Sequence, residues 1–170
     1  EFSFLYKIKY IINRLGVISG PWQFGKQDQG FVSLWVWKHI NKKRLSYIGF
    51  GGKGEQIRDV IHIYDVCELI SLQIKRISNV YNLTMNVGGG KKNAISLKNL
   101  TKHCQKITSN KVKISSKKIT SNYDIPYYIT SNSKVRKLYK WGPKKSFLHI
   151  IQDVYKWMVS NKKILKKYIR

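Results

Sequence analysis

Acidic residues are scarce in this chain of 170 residues. Eight Asp and Glu stand against 33 Lys and Arg, a formal charge of +25 at pH 7. So few carboxylates leave little material for a two-carboxylate glycosidase. Cysteine is nearly absent too: Cys67 and Cys104 lie far apart without CxxC spacing. That excludes a readable zinc site and a secreted disulfide framework, and points to reduced, buried thiols in a cytoplasmic protein. No apolar run approaches the roughly 18 residues of a membrane span. GxSxG, HExxH and His/Cys ligand spacings are missing, so no metal is expected. No period of glycines, heptads or longer repeats occurs, which excludes collagen, coiled-coil and solenoid architectures. No targeting segment is readable, and the first residue is Glu1 rather than Met, so part of a longer chain is expected.

What is present supports a real core. Hydrophobic residues make up 42% of the chain, and a domain of this size buries roughly 70% of its unfolded surface. The positive charge is carried by 27 Lys against 6 Arg, spread over the whole length. Arginine is the usual reader of bases and phosphates, so this pattern points to a lysine-rich solvated surface before a nucleic-acid-binding module.

Strand and helix signals interleave, which indicates an α/β chain. Ile11 to Ser19 reads as one buried parallel strand ending at Gly20-Pro21. Phe31 to Ile40 has helical spacing, with Trp35 and Trp37 expected to pack against sequence outside this chain. Strands are expected at Leu45 to Phe50, Gln56 to Ile63 and Val80 to Val87, with a possible short one at Lys111 to Ile114. Helices are expected at Tyr64 to Arg76, Leu97 to Ile107 capped by Ser96, Ser133 to Tyr139, and Phe147 to Ser160 capped by Ser146. Residues 115–126 read as a polar loop and 161–170 as a basic tail that frays. Too few strands read as fully buried for a complete doubly wound sheet.

Four motifs bear on chemistry. Gly49 to Gly54 matches GxGxxG, but the following QIRDVIHI is strand-like, whereas the dinucleotide fingerprint must enter a helix. A strand-to-strand connection is expected there. Gly88-Gly89-Gly90 could form a phosphate nest, although GxxxxGK(S/T) is absent and a tight turn or close backbone approach is the simpler explanation. Arg58 is an isolated guanidinium inside a strand; it could clamp a diphosphate, or pair with an acid such as Asp65. His39 and His62 flank apolar positions and suit buried neutral imidazoles with one backbone partner each.

GPWQFGKQDQG (Gly20 to Gly30) and YIGFGGKGEQIRDVIHIYDV (Tyr47 to Val66), with NVGGG, YYITSNSKV and WGPKKS in the same order, resemble the C-terminal half of NAD-dependent epimerase/dehydratases. These are the extended short-chain dehydrogenase/reductases, and the likeness points to the CDP-paratose 2-epimerase branch. It covers about Tyr6 to Trp157. The resemblance implies late strands of a Rossmann-type sheet at 11–21 and 80–90. Residues 22–79 and 91–160 would form mostly a small substrate-binding lobe with its flanking helices. It implies NAD as cofactor, a CDP-linked dideoxyhexose epimerised at C2 by hydride removal and return, a missing N-terminal Rossmann half and a homodimer. Gly20 and Pro21 would approach the cofactor. Trp22, Gln23, Gln27 and Gln29 would line the substrate loop, and Arg58 would contact the diphosphate. No tyrosine here has a lysine four residues later, so the family's YxxxK catalytic pair is outside this segment, which is expected to be inactive alone. Relatives' second phosphate-binding arginine, near Asp124, is also missing; Lys117 or Lys118 could stand in as a point charge.

Overall fold

The structure is a computed structural model and describes residues 1–26 and 29–168. It contains eight strands: β1 (Ile11–Leu15), β2 (Val17–Ser19), β3 (Leu45–Ile48), β4 (Ile57–His62), β5 (Leu83–Val87), β6 (Ala94–Ser96), β7 (Ile114–Lys117) and β8 (Tyr127–Tyr128). The seven α-helices are α1 (Phe2–Tyr6), α2 (Phe31–Ile40), α3 (Ile63–Arg76), α4 (Leu97–Thr108), α5 (Ser133–Tyr139), α6 (Phe147–Ser160) and α7 (Lys162–Tyr168).

The expected strand at 11–19 is interrupted at Gly16 and serves two partners. β1 runs parallel to β5, pairing Ile11 with Leu83 and Leu15 with Val87. β2 then runs parallel to β4, pairing Val17 with Val60 and Ser19 with His62. Glycine is needed at this switch because the backbone lies against Thr130: an added Cβ would meet Thr130 Oγ1 at 2.8 Å. β6 pairs antiparallel with β4, and the two-residue β8 pairs parallel with it at Ile57 and Arg58. β3 and β7 form a separate parallel pair.

β4 is held in place by Asp59. Its carboxylate is fully buried and accepts from Gly90 N at 2.8 Å, and from both Thr130 N and Thr130 Oγ1 at 3.1 Å. Beside it, the Asn132 side chain accepts from Gly88 N and donates to Gly88 O. Gly88 and Gly89 are therefore positions of close approach, while Gly90 holds a left-handed φ of +67°. A Cβ at Gly88 would meet Thr130 Oγ1 at 2.3 Å, and one at Gly89 would meet Val60 O at 2.1 Å.

Two apolar clusters flank this frame. One joins α2 to α4 and α6 through Val36, Leu100, Cys104, Ile150, Val154 and Met158; the other packs α3 against β4 and β5 through Ile61, Leu69 and Val87. Trp35 and Trp37 are 5% and 2% exposed inside the first cluster. That corrects the expectation that they await outside sequence. Trp35 lies nearly parallel to Tyr47, 6.4 Å between centroids, and donates to Thr101 Oγ1. Residues 162–168 also differ from expectation. They form a helix rather than a fraying tail because Leu165, 2% exposed, enters the same core. Cys104 is buried as expected, and burial pushes its thiol pKa up. Cys67 is instead exposed on α3.

β1 leaves apolar side chains exposed on both of its faces. It has one strand partner among the described residues; Ile12 is exposed on one face, and Leu15 on the other, the side of α3, where Ile70 and Ile74 are exposed too. The side-chain amides of Asn13 and Gln73 exchange two hydrogen bonds beneath it, fixing α3 to β1.

Asp59→Ala leaves three donors without their acceptor, the buried Thr130 N and Oγ1 and the half-buried Gly90 N. It is expected to lower unfolding free energy by at least about 3 kcal/mol, read from the urea midpoint. A loss below about 1 kcal/mol would show that the frame does not depend on this carboxylate.

Candidate functional site

Period-two alternation along β4 sends Arg58 and Asp59 to opposite faces. Asp59 enters the core, while the Arg58 side chain remains 20% exposed. The guanidinium pairs with Asp124, resolving the question of its acidic partner in favour of a distant carboxylate rather than Asp65. Its Nη2 also donates to Ile125 O at 2.6 Å, and Nη1 to Ile57 O at 2.7 Å. Asp65 instead accepts from Lys145 N at 3.1 Å.

Asp124 forms part of the wall of a cleft of about 1380 Å³. The paired strands β3 and β7 build the floor: register places Ser46 opposite Ser115 and Ile48 opposite Lys117, and all four line the cavity. Phe24, Tyr123 and Tyr168 add rings, while Lys26, Lys38, Arg44 and Lys117 add positive charge. A cleft with aromatic edges and convergent cations suits an anionic ligand that also carries a planar group.

The sequence-selected residues are not all gathered here. Arg58 reaches the cleft only through its partner Asp124. Gly20, at the end of β2, packs against Ile63, where a Cβ would come within 2.5 Å of Cγ2, and Pro21 follows it in a turn. Trp22 has φ +70°, is 73% exposed, and lies 5.6 Å from the Trp157 ring. Gln23 is an internal bracket: it donates to Ile18 O and accepts from Ser33 Oγ. Gln29 is exposed, its carbonyl accepting from Lys26 N at 2.7 Å; Gln27 lies outside the described residues. Sequence reasoning missed Lys38, Arg44 and Tyr168, while Lys26 falls inside the expected substrate loop without having been singled out. Lysines are too frequent here to stand out individually, and Tyr168 belonged to a presumed tail. The β3–β7 pairing was the signal that could have located the cleft, but β7 itself reads as polar loop.

No dinucleotide cradle is formed by the described glycine-rich turns. Gly49 to Gly54 connects β3 to β4, as expected, with Ser116 filling the space beside Gly52 and the Tyr47 ring that beside Gly54. Asp59, Thr130 and Val60 fill the space at Gly88 and Gly89.

Both buried histidines have the expected backbone partner. His39 Nδ1 bonds Trp35 O at 2.7 Å, and His62 Nδ1 accepts from Tyr64 N at 3.0 Å. His62 Nε2 lies 3.3 Å from Asp153. Burial lowers both pKa values, outweighing the opposing pull of Trp35 O on His39 and of Asp153 on His62.

A model of the NAD dependent epimerase/dehydratase family matches residues 2–88. Over 162 residues the chain is 24% identical to CDP-paratose 2-epimerase of Salmonella typhi, covering 94% of this chain and 48% of that protein. Its fold matches an epimerase from Methanothermobacter thermautotrophicus with a TM-score of 0.85 at 18% identity, over 99% of this chain and 48% of that one. It also matches UDP-glucuronic acid 4-epimerase of Bacillus cereus, solved with UDP-glucuronic acid and NAD, at TM-score 0.77 and 21% identity; 94% of this chain and 48% of that one are covered. The chain spans about half the length of the curated relatives it matches.

Since both histidines hold protons less tightly when folded, the unfolded chain takes up protons first as pH falls. Their contribution is complete above pH about 6.5 and declines below it. The urea midpoint is expected to drop between about pH 7.5 and 5.5, and to drop less in His39→Gln; an unchanged or rising midpoint would contradict neutral burial.

Proposed function

The chain belongs to the NAD dependent epimerase/dehydratase family, and from that premise we propose that it is the substrate-binding half of a nucleotide-sugar epimerase. The carrying observation is the basic, aromatic-edged cleft over β3 and β7, with Arg58 held at its margin. Arg44, Lys38 and Lys117 would attract the pyrophosphate, and Lys117 would supply the point charge in place of a second arginine. Ile48, Phe24 and Tyr123 offer apolar surface to the nucleobase. The likeness to the Salmonella typhi enzyme favours a CDP-linked dideoxyhexose altered at C2.

In this reading NAD is the cofactor of the whole protein, held by a Rossmann half outside these residues. The described glycine turns do not fit it, so hydride transfer is not assigned to side chains of this chain. The exposed apolar side chains of β1 and α3, Ile12 on one face and Leu15, Ile70 and Ile74 on the other, would be covered by that half. Gly20 and Pro21 would sit at the junction, near the cofactor. Alone, the chain would bind nucleotide-sugar without turning it over.

Calorimetric titration of the 170-residue chain with CDP- and UDP-sugars tests this. Arg58→Ala is expected to weaken binding about tenfold to a hundredfold, the range for a charge-assisted hydrogen bond. Steeply salt-dependent binding of duplex DNA, with no response to either nucleotide-sugar, would overturn the reading in favour of a nucleic-acid module.

A further inference from the structure

Arg58 is already committed where a diphosphate would need it. A guanidinium grips an oxyanion pairwise through two adjacent N–H groups, either Nη1 with Nη2 or Nε with Nη2. Both forks use Nη2. In this structure Nη2 donates to Asp124 Oδ1 and to Ile125 O, so its two hydrogens are both engaged. The same Asp124 oxygen accepts from Ile125 N at 3.0 Å, fixing the carboxylate on its own backbone.

The cleft wall shows the consequence. Asp124 lines the cavity and Arg58 does not. Among its described lining residues Asp124 is the only acid, facing Lys26, Lys38, Arg44 and Lys117. A negative ligand entering this cleft meets four cations and one carboxylate. That carboxylate occupies the guanidinium with the best geometry for binding it. Asp124 is 40% exposed at its side chain and lies in the segment between β7 and β8, where Tyr123 is 96% exposed. Little packing therefore opposes its movement.

Resting on the nucleotide-sugar reading of this cleft, we propose that Asp124 is a specificity-determining competitor: it holds Arg58 until the pyrophosphate of the ligand displaces it. A ligand able to engage the cleft lysines and Arg58 together replaces the lost carboxylate contact, and a ligand with weaker charge does not. Asp124 thus raises the charge threshold for entry into a cleft that would otherwise attract any small anion in a protein of net charge +25.

The test is a double-mutant cycle on the 170-residue chain, titrated with CDP and with inorganic pyrophosphate at fixed ionic strength. Asp124→Asn is expected to tighten both by about three- to fivefold, the upper part of what an exposed ion pair contributes. In the Arg58→Gln background the same substitution should change binding less than about twofold, because the competitor then has nothing to hold. Equal urea midpoints for parent and Asp124→Asn would exclude a folding effect. Binding by the parent with unchanged or weaker binding by Asp124→Asn overturns the competitor role alone. Equal tightening in both backgrounds reduces Asp124 to a general repulsive charge and overturns it too. Failure of every variant to bind either ligand overturns the nucleotide-sugar reading and this inference together.

Discussion

A single buried carboxylate organises the meeting point of this fold. Asp59 carries charge at zero exposure in a strongly basic chain, but three donors from two segments converge on it. A buried anion is tolerable only with such saturation. The constraint then propagates outward. β4 is tied to the Gly88–Gly90 turn and to Thr130, Asn132 fastens the same turn from its other side, and these segments deliver β5 and α5. Glycine is required at Gly88 because Thr130 and Asp59 leave no room for a Cβ, at Gly89 because the Val60 carbonyl does not, and at Gly90 because φ is +67°.

The neighbouring position faces the opposite way and holds Asp124, which lines the cleft. Arg58 is set by the same strand that Asp59 anchors, so the rigidity of the frame passes directly to the guanidinium. Its acceptors come from β4 itself and from the segment leading to β8, which pairs with β4 at Ile57 and Arg58. The cleft is thus assembled from strands far apart in sequence, whereas its electrostatic switch is local to one ion pair.

Much of this was legible in the sequence, for reasons that differ by element. α2, α5 and α6 stand where helical spacing places them, and Ser96 and Ser146 cap as their position suggests. The glycine run at Gly49 to Gly54 was readable as a connection because its downstream residues are β-branched. The change of partner at Gly16 was not readable: β5 and β4 lie far along the chain, and Thr130, which crowds Gly16, is more than a hundred residues away. Burial of Trp35 and Trp37 within this chain was hidden for the same reason, since α4 and α6 supply the cover. α7 read as a tail because six of its seven residues are exposed or partly so, and the burial of Leu165 alone secures it. At the site, Arg58 stood out as a rare arginine within a strand. Its attachment to Asp124 depends on a loop fold that local pattern does not encode.

The adjacency of Arg58 and Asp59 makes the strand intolerant of any change in parity. Deleting or inserting one residue ahead of them would rotate the pair by half a pleat. A guanidinium would turn toward Thr130 and Gly90, whose N–H groups offer it nothing to bond, while a carboxylate would turn toward lysine-lined solvent. Architecture and recognition would fail in the same event, so drift in length must be absorbed in the connections on either side of β4.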